Sequence, residues 1–188
     1  MSVQEKRLEE TSKGEGTFLG SDGNELFMRW ACPASSRGIV VVVHGAGEHS
    51  GRYVELWQAL LAAGYSCYGY DHRGHGQSAG RRSHVGKFDE YLADLNCFLE
   101  EVQKREGKGK VFVYGHSMGG LIASLYAIRY QPTLWGMVLS APPYKLAVQV
   151  PKVKIIAAKV LSNIVPILAM ASEVDSGHLS RDPKVGKE

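Results

Sequence analysis

The stretch Gly38-Ile-Val-Val-Val-Val-His44 constrains this chain more than any other, because β-branched side chains follow one another with no polar alternation. A strand with one wet face alternates apolar and polar residues; an unbroken run is buried on both faces, as in a parallel sheet covered by helices. The neighbouring sequence supplies those helices. Tyr53, Leu56, Trp57 and Leu60 recur at helical spacing over 53–63, and Gly64 closes the segment. Phe88, Tyr91, Leu92, Leu95, Phe98, Leu99 and Val102 form an apolar stripe over 88–105, with acids and bases on the other face. Residues 65–70, 110–114 and 135–140 read as strands and 117–130 as a helix, while 16–20 and 25–31 flank the turn Ser21-Asp22-Gly23-Asn24 as an N-terminal hairpin. Strands alternating with helices predict an α/β fold with a mainly parallel sheet and helices on both faces.

Composition narrows the class further. With 188 residues, 44% of them hydrophobic, the chain has the core of about one domain, which excludes disorder, collagen and coiled coil. Lys and Arg exceed Asp and Glu by only 22 to 19, far from the basic footprint of a nucleic-acid binder, so no nucleic-acid partner is expected. Cys32, Cys67 and Cys97 are odd in number and set among apolar residues, which reads as reduced, buried thiols in a cytoplasmic protein. The N-terminus, MSVQEKRLEE, lacks the apolar core of a signal peptide, and 155–171 is broken by Lys159, Asn163 and Pro166, short of the ~20 apolar residues of a membrane span.

Glycine is in excess, at about 12% against a usual ~7%. Two of its clusters carry chemistry. Gly115-His116-Ser117-Met118-Gly119 follows an apolar strand and opens a helix, the strand, G-x-S-x-G, helix context of a nucleophile elbow. The turn is so tight that residues two before and two after the serine nearly collide, so Gly115 and Gly119 remove side chains that would clash, and Gly120 lets the helix pack closely. Ser117 is thereby the candidate nucleophile, lifted to the carboxyl end of its strand beside a helix N-terminus that favours negative charge. Acyl transfer also needs donors for the oxyanion of a tetrahedral intermediate. The Met118 N–H, next after the nucleophile, is one candidate; the Ala46 N–H, in the loop His44-Gly45-Ala46-Gly47 after the buried strand, is the other.

Three motifs in order, His44-Gly-Ala-Gly-Glu-His-Ser-Gly-Arg-Tyr53, Asp71-His-Arg-Gly-His-Gly-Gln-Ser78 and Gly115-His-Ser-Met-Gly-Gly120, resemble the monoacylglycerol lipase and lysophospholipase-like branch of the α/β-hydrolases. The resemblance runs from about Gly16 onward and includes Leu179-Ser-Arg-Asp182 of the family's cap region. It implies a cofactor-free serine esterase acting on single-chain lipid esters under a helical cap, with 1–143 as the N-terminal part of the catalytic domain and 144–188 as the start of the cap. It further implies that Glu48 and Arg52 line a polar pocket for the glycerol end; a surface salt bridge between the two is the competing account. His72 and His75 stand at H-x-x-H spacing, but on a glycine-punctuated loop with no third ligand, structural hydrogen bonding is the better reading than a metal. Val153, Ile156, Val160, Ile164 and Ile167, with Lys145, Lys152, Lys154 and Lys159, fit an amphipathic lid touching an anionic lipid surface, or ordinary packing onto the catalytic domain.

A serine nucleophile needs a histidine base and an orienting carboxylate, which in this fold follow the serine in the order acid, then histidine. After Ser117 the chain offers Asp175, His178 and Asp182, none preceded by a strand, and His116 is turned away by the elbow. The expectation is that the acid and base lie beyond residue 188, with the last strands of the sheet. Strand 135–140 is then expected to present an open apolar edge, and the 188 residues alone are expected to be nearly inert. The alternative is a catalytically incomplete module that binds lipid or a partner. Oligomeric state is not legible.

Overall fold

The chain divides into two units, Met1–Lys145 and Leu146–Glu188, and the computed structural model describes residues 11–145, within the first. The lid stripe Val153 to Ile167, Asp175, His178 and the 179–182 motif lie outside the described residues. The elements are β1 (Thr11–Leu19), β2 (Glu25–Pro33), β3 (Ile39–Val43), a 3-10 turn (Ser50–Tyr53), α1 (Val54–Ala62), β4 (Ser66–Tyr70), α2 (Asp89–Glu106), β5 (Val111–His116), α3 (Met118–Tyr130) and β6 (Gly136–Ser140).

Among the described residues six strands form one sheet in the order β1-β2-β4-β3-β5-β6. β1 pairs antiparallel with β2 and β2 with β4; β3, β4, β5 and β6 run parallel. All five residues of β3 are buried, as its unbroken apolar run requires. Val41, Val43, Val111 and Val113 pack on one face against Leu95 and Phe98 of α2 and Ile122 of α3; Val40, Val42 and Cys67 pack on the other against Trp57 and Leu61 of α1. Each such side chain contributes about 1.5–3 kcal/mol when fully buried.

From β3 the chain moves to β4 on one side, then crosses through α2 to β5 on the other. Strand order therefore reverses at the carboxyl ends of β3 and β5, the position where open α/β sheets place their ligands. Both glycine clusters sit there.

Two expectations change in detail. Asp94 lies inside the apolar stripe of α2 and is fully buried, so that helix does not confine its charges to the outer face. Of the three free cysteines only Cys67 is fully buried, with its thiol pushed up to about 12 by desolvation; Cys32 and Cys97 are half-buried. Among the described residues β6 is an edge strand, opposite β1, with Val138 61% exposed. With Leu56, Leu60, Tyr65, Phe112 and Tyr114, Val138 lines an apolar cavity of about 390 Å³.

Candidate active site

Ser117 joins β5 to α3 at φ 50° and ψ −119°, a positive-φ conformation rarely adopted by a residue with a side chain. Such strain costs on the order of 1–3 kcal/mol and persists only where the surroundings hold it. Here they do. The Ser117 N–H donates to the Ser140 carbonyl at 2.8 Å, and the Ser117 carbonyl accepts from the Leu121 N–H at 3.1 Å. A side chain on Gly115 would stand 2.7 Å from the Gly119 carbonyl oxygen, and one on Gly119 would overlap the Val43 carbonyl and approach that of His44 to 2.5 Å. A Cβ on Gly120 would meet the Gly115 carbonyl at 3.1 Å. Close backbone approach is therefore what the elbow glycines provide. Ser117 itself is half-exposed. His116 is turned toward β6, its Nδ1 3.1 Å from the Ser140 hydroxyl.

The loop after β3 reaches the same place. A Cβ on Gly45 would lie 3.2 Å from the Ser117 Cβ and 2.8 Å from Glu48 Oε1. Glu48 Oε1 accepts from the Gly45 N–H at 2.5 Å and from the Tyr53 hydroxyl at 2.7 Å. Its Oε2 faces Arg52 Nε at 4.0 Å, at the outer limit of an ion pair. Glu48 thus serves the loop backbone first and Arg52 second, an arrangement neither sequence account contained. Burial, then the Glu48 carboxylate, push the Tyr53 phenol well above its ordinary range, so it stays a hydrogen-bond donor. Ala46 is exposed, and among the described residues neither the Ala46 nor the Met118 N–H donates to a protein acceptor.

His44 and His72 are fully buried beneath this loop, with His75 beside them. His44 Nε2 accepts from the His72 backbone N–H at 2.9 Å, so the proton resides on Nδ1, which donates to the Gly45 carbonyl at 2.7 Å. His72 Nε2 donates to the His44 carbonyl at 2.9 Å. Desolvation, then the neighbouring His72, hold His44 neutral well below the usual imidazole range; desolvation brings His72 down to about 3. His75 Nδ1 lies 3.0 Å from the Arg73 carbonyl. The H-x-x-H pair is thus engaged in structural hydrogen bonds.

Around them, side chains fix the loop after β4. Asp71 Oδ1 accepts from the Ser50 N–H at 2.8 Å and the Ser50 hydroxyl at 2.6 Å, tying this loop to the 3-10 turn that follows the β3 loop; Oδ2 accepts from the Gln77 N–H at 2.8 Å. Arg73 forks onto Asp94 with bonds of 2.7 and 2.8 Å and also meets Glu90 at 2.5 Å and Asp22 at 3.0 Å. Asp71, Arg73 and Asp94 were not singled out by sequence reasoning as site-forming residues. A charge inside the α2 stripe, three residues after Tyr91 and four before Phe98, was the available signal.

The model of the family described as serine aminopeptidase, S33 matches residues 34–188. The chain belongs to that family of α/β-hydrolases. It is 39% identical over 170 residues to the monoglyceride lipase of Homo sapiens, covering 88% of this chain and 55% of the relative. It is 35% identical over 176 residues to a monoacylglycerol lipase of Mycolicibacterium smegmatis, covering 93% and 62%. The crystal structure of Paleococcus ferrophilus monoacylglycerol lipase superposes with a TM-score of 0.71 at 34% identity, over 94% of this chain and 61% of that one. The chain therefore spans a little over half the length of these relatives. Within the α/β-hydrolases it falls in the monoglyceride lipase-like branch. Among the described residues no helix is long and apolar enough to cross a membrane.

Proposed function

We propose that the whole protein is a serine hydrolase cleaving monoacylglycerols or related single-chain lipid esters, lysophospholipids included, through an acyl-enzyme on Ser117. The observation that carries this is the half-exposed hydroxyl held at positive φ between the helix N-terminus and the Gly45 loop. Ser117 attacks the ester carbonyl. The Ala46 and Met118 amides receive the oxyanion, each worth about 3 kcal/mol of transition-state stabilisation. The base and its orienting acid belong to the protein outside the described residues, and no metal or cofactor enters the reaction. Residues 1–143 are the N-terminal part of the catalytic domain and 144–188 begin the cap, through which the protein meets lipid surfaces. Arg52, 46% exposed at its side chain, is free to reach the glycerol end, with Glu48 behind it.

Fluorophosphonate labelling of the whole protein tests the reading. Ser117 should be modified, and Ser117→Ala should lose both labelling and release of fatty acid from monoacylglycerol. Absence of labelling in a folded, whole protein would support a binding module instead, and product analysis with monoacylglycerol against lysophospholipid would rank the substrates.

A further inference from the structure

Two consecutive peptide groups lead from β3 to the Ala46 amide. They carry four polar backbone groups, and side chains hold three of them. The carbonyl of His44 accepts from His72 Nε2 at 2.9 Å, and the N–H on the other side of that peptide, Gly45, donates to Glu48 Oε1 at 2.5 Å. The carbonyl of Gly45 accepts from His44 Nδ1 at 2.7 Å. The remaining group is the Ala46 N–H, which has no protein acceptor among the described residues. No peptide here is cis, so carbonyl and N–H of one unit point in opposite directions. Holding the Gly45 carbonyl against the buried imidazole therefore turns the Ala46 N–H the other way.

We infer that His44 and His72 are positioning residues, which with Glu48 clamp the two peptides after β3 so that the Ala46 N–H is aimed before substrate arrives. This rests on the reading of Ala46 as an oxyanion donor. The hydrogen-bond pattern assigns each ring one tautomer. A backbone N–H can only donate, so His44 must offer a bare Nε2 to His72 and keep its proton on Nδ1 for Gly45. Carbonyls can only accept, so His72 must carry its proton on Nε2. Its Nδ1 is buried with no partner among the described residues. A buried acceptor left unpaired is costly, and its persistence fits a ring selected for the bond at its other nitrogen. Glycine at position 45 adds a second constraint, since a side chain there would press on both Glu48 and Ser117. Preorganised donors of this kind lose value when they can rotate, because the transition state must then order them.

Two substitutions at His44 separate aiming from mere support. In His44→Asn the amide nitrogen can stand near the lost Nδ1 and still donate to the Gly45 carbonyl. In His44→Gln the amide reaches the Nε2 position and can satisfy the His72 N–H, but it surrenders the bond to Gly45. Assayed in the whole protein with a p-nitrophenyl ester, His44→Gln should lower kcat about 10- to 100-fold with KM within about threefold. His44→Asn should recover at least tenfold of that loss, even where the two variants melt at the same temperature. The inhibition constant of a trifluoromethyl ketone, whose adduct on Ser117 carries the oxyanion, should rise by the same factor as kcat falls. Equal kcat in the two variants, or a loss tracking melting temperature alone, overturns the inference while leaving the esterase reading intact. A folded wild-type protein that neither hydrolyses the ester nor reacts with fluorophosphonate overturns the esterase reading, and this inference with it. If the His44 variants do not fold, His72→Gln, which keeps a donor at the Nε2 position, against His72→Leu makes the same comparison one peptide earlier.

Discussion

The loops after β5 and after β4 face one problem, irregular backbone that must stay rigid at the carboxyl end of the sheet, and meet it with different chemistry. The β5 loop is held by backbone against backbone. Gly115 and Gly119 let β5, α3 and the end of β3 approach until no Cβ fits between them, Gly120 leaves little room beside them, and that contact keeps Ser117 at φ 50°. The β4 loop is held by buried polar side chains: Asp71 on Ser50 and Gln77, Arg73 on Asp94, His72 on His44. Backbone packing tolerates no added atom but asks little of charge. A polar network tolerates small displacements but requires every member to keep a partner.

The comparison breaks most visibly at Gly119. Gly119→Ala places a methyl group into the Val43 and His44 carbonyls, backbone at the end of β3 and the start of its loop, which cannot yield cheaply. The expected cost is upwards of about 4 kcal/mol, the range reserved for severe core lesions, together with loss of fluorophosphonate labelling of whatever remains folded. A urea midpoint within error of wild type would show that α3 has room to move.

That difference also explains what the sequence disclosed. Backbone packing leaves its mark as glycines at fixed offsets around one serine, so the elbow, its strand and its helix were legible within a residue or two. The Ile39–Val43 run likewise announced its own burial. A polar network leaves no such mark, because its members come from separate elements: Asp22 from the hairpin, Arg73 from a loop, Glu90 and Asp94 from α2. Position inside the α2 stripe marks Asp94 as inward-facing, but only contact in three dimensions shows that Arg73, from a distant loop, meets it there. Glu48 shows the same limit. The resemblance implied a pocket shared with Arg52 and the competing account an ion pair with it, whereas the fold turns Oε1 inward to Gly45 and Tyr53 and leaves Oε2 4.0 Å from Arg52.

The polar loop is expected to fail more gently. Arg73→Met removes a guanidinium 7% exposed at its side chain and leaves a fully buried carboxylate on Asp94 without its cation, held only by the Ser21 N–H and hydroxyl. Breaking a buried pair from one side costs about 3–5 kcal/mol, whereas replacing both members with apolar groups is often near neutral. Urea unfolding should therefore give a loss of about 3 kcal/mol for Arg73→Met and a smaller loss for Arg73→Met combined with Asp94→Leu. A double variant as unstable as the sum of its parts would mean that Arg73 acts mainly through Glu90 and Asp22. Folded Arg73→Met should still label at Ser117, since neither residue touches the elbow.

The histidines connect the two regions, and their titration sharpens the contrast. Burial depresses both His44 and His72 below the unfolded value of 6.5, His72 to about 3. Above pH 6.5 both states are neutral and the histidines contribute no pH dependence. Below it the unfolded chain binds protons that the folded protein refuses, so stability falls as pH falls. Each refused proton contributes about 1.4 kcal/mol per pH unit, for His72 down to its folded value. Between pH 6.5 and 5, above the range where carboxylates titrate, the urea-derived stability of the wild type should fall along this slope. His72→Gln should remove one histidine's share of it. A slope left unchanged by that substitution would mean His72 takes up its proton as readily in the folded protein as in the unfolded chain, and the unpaired Nδ1 would then be reached by water rather than sealed beneath the loop.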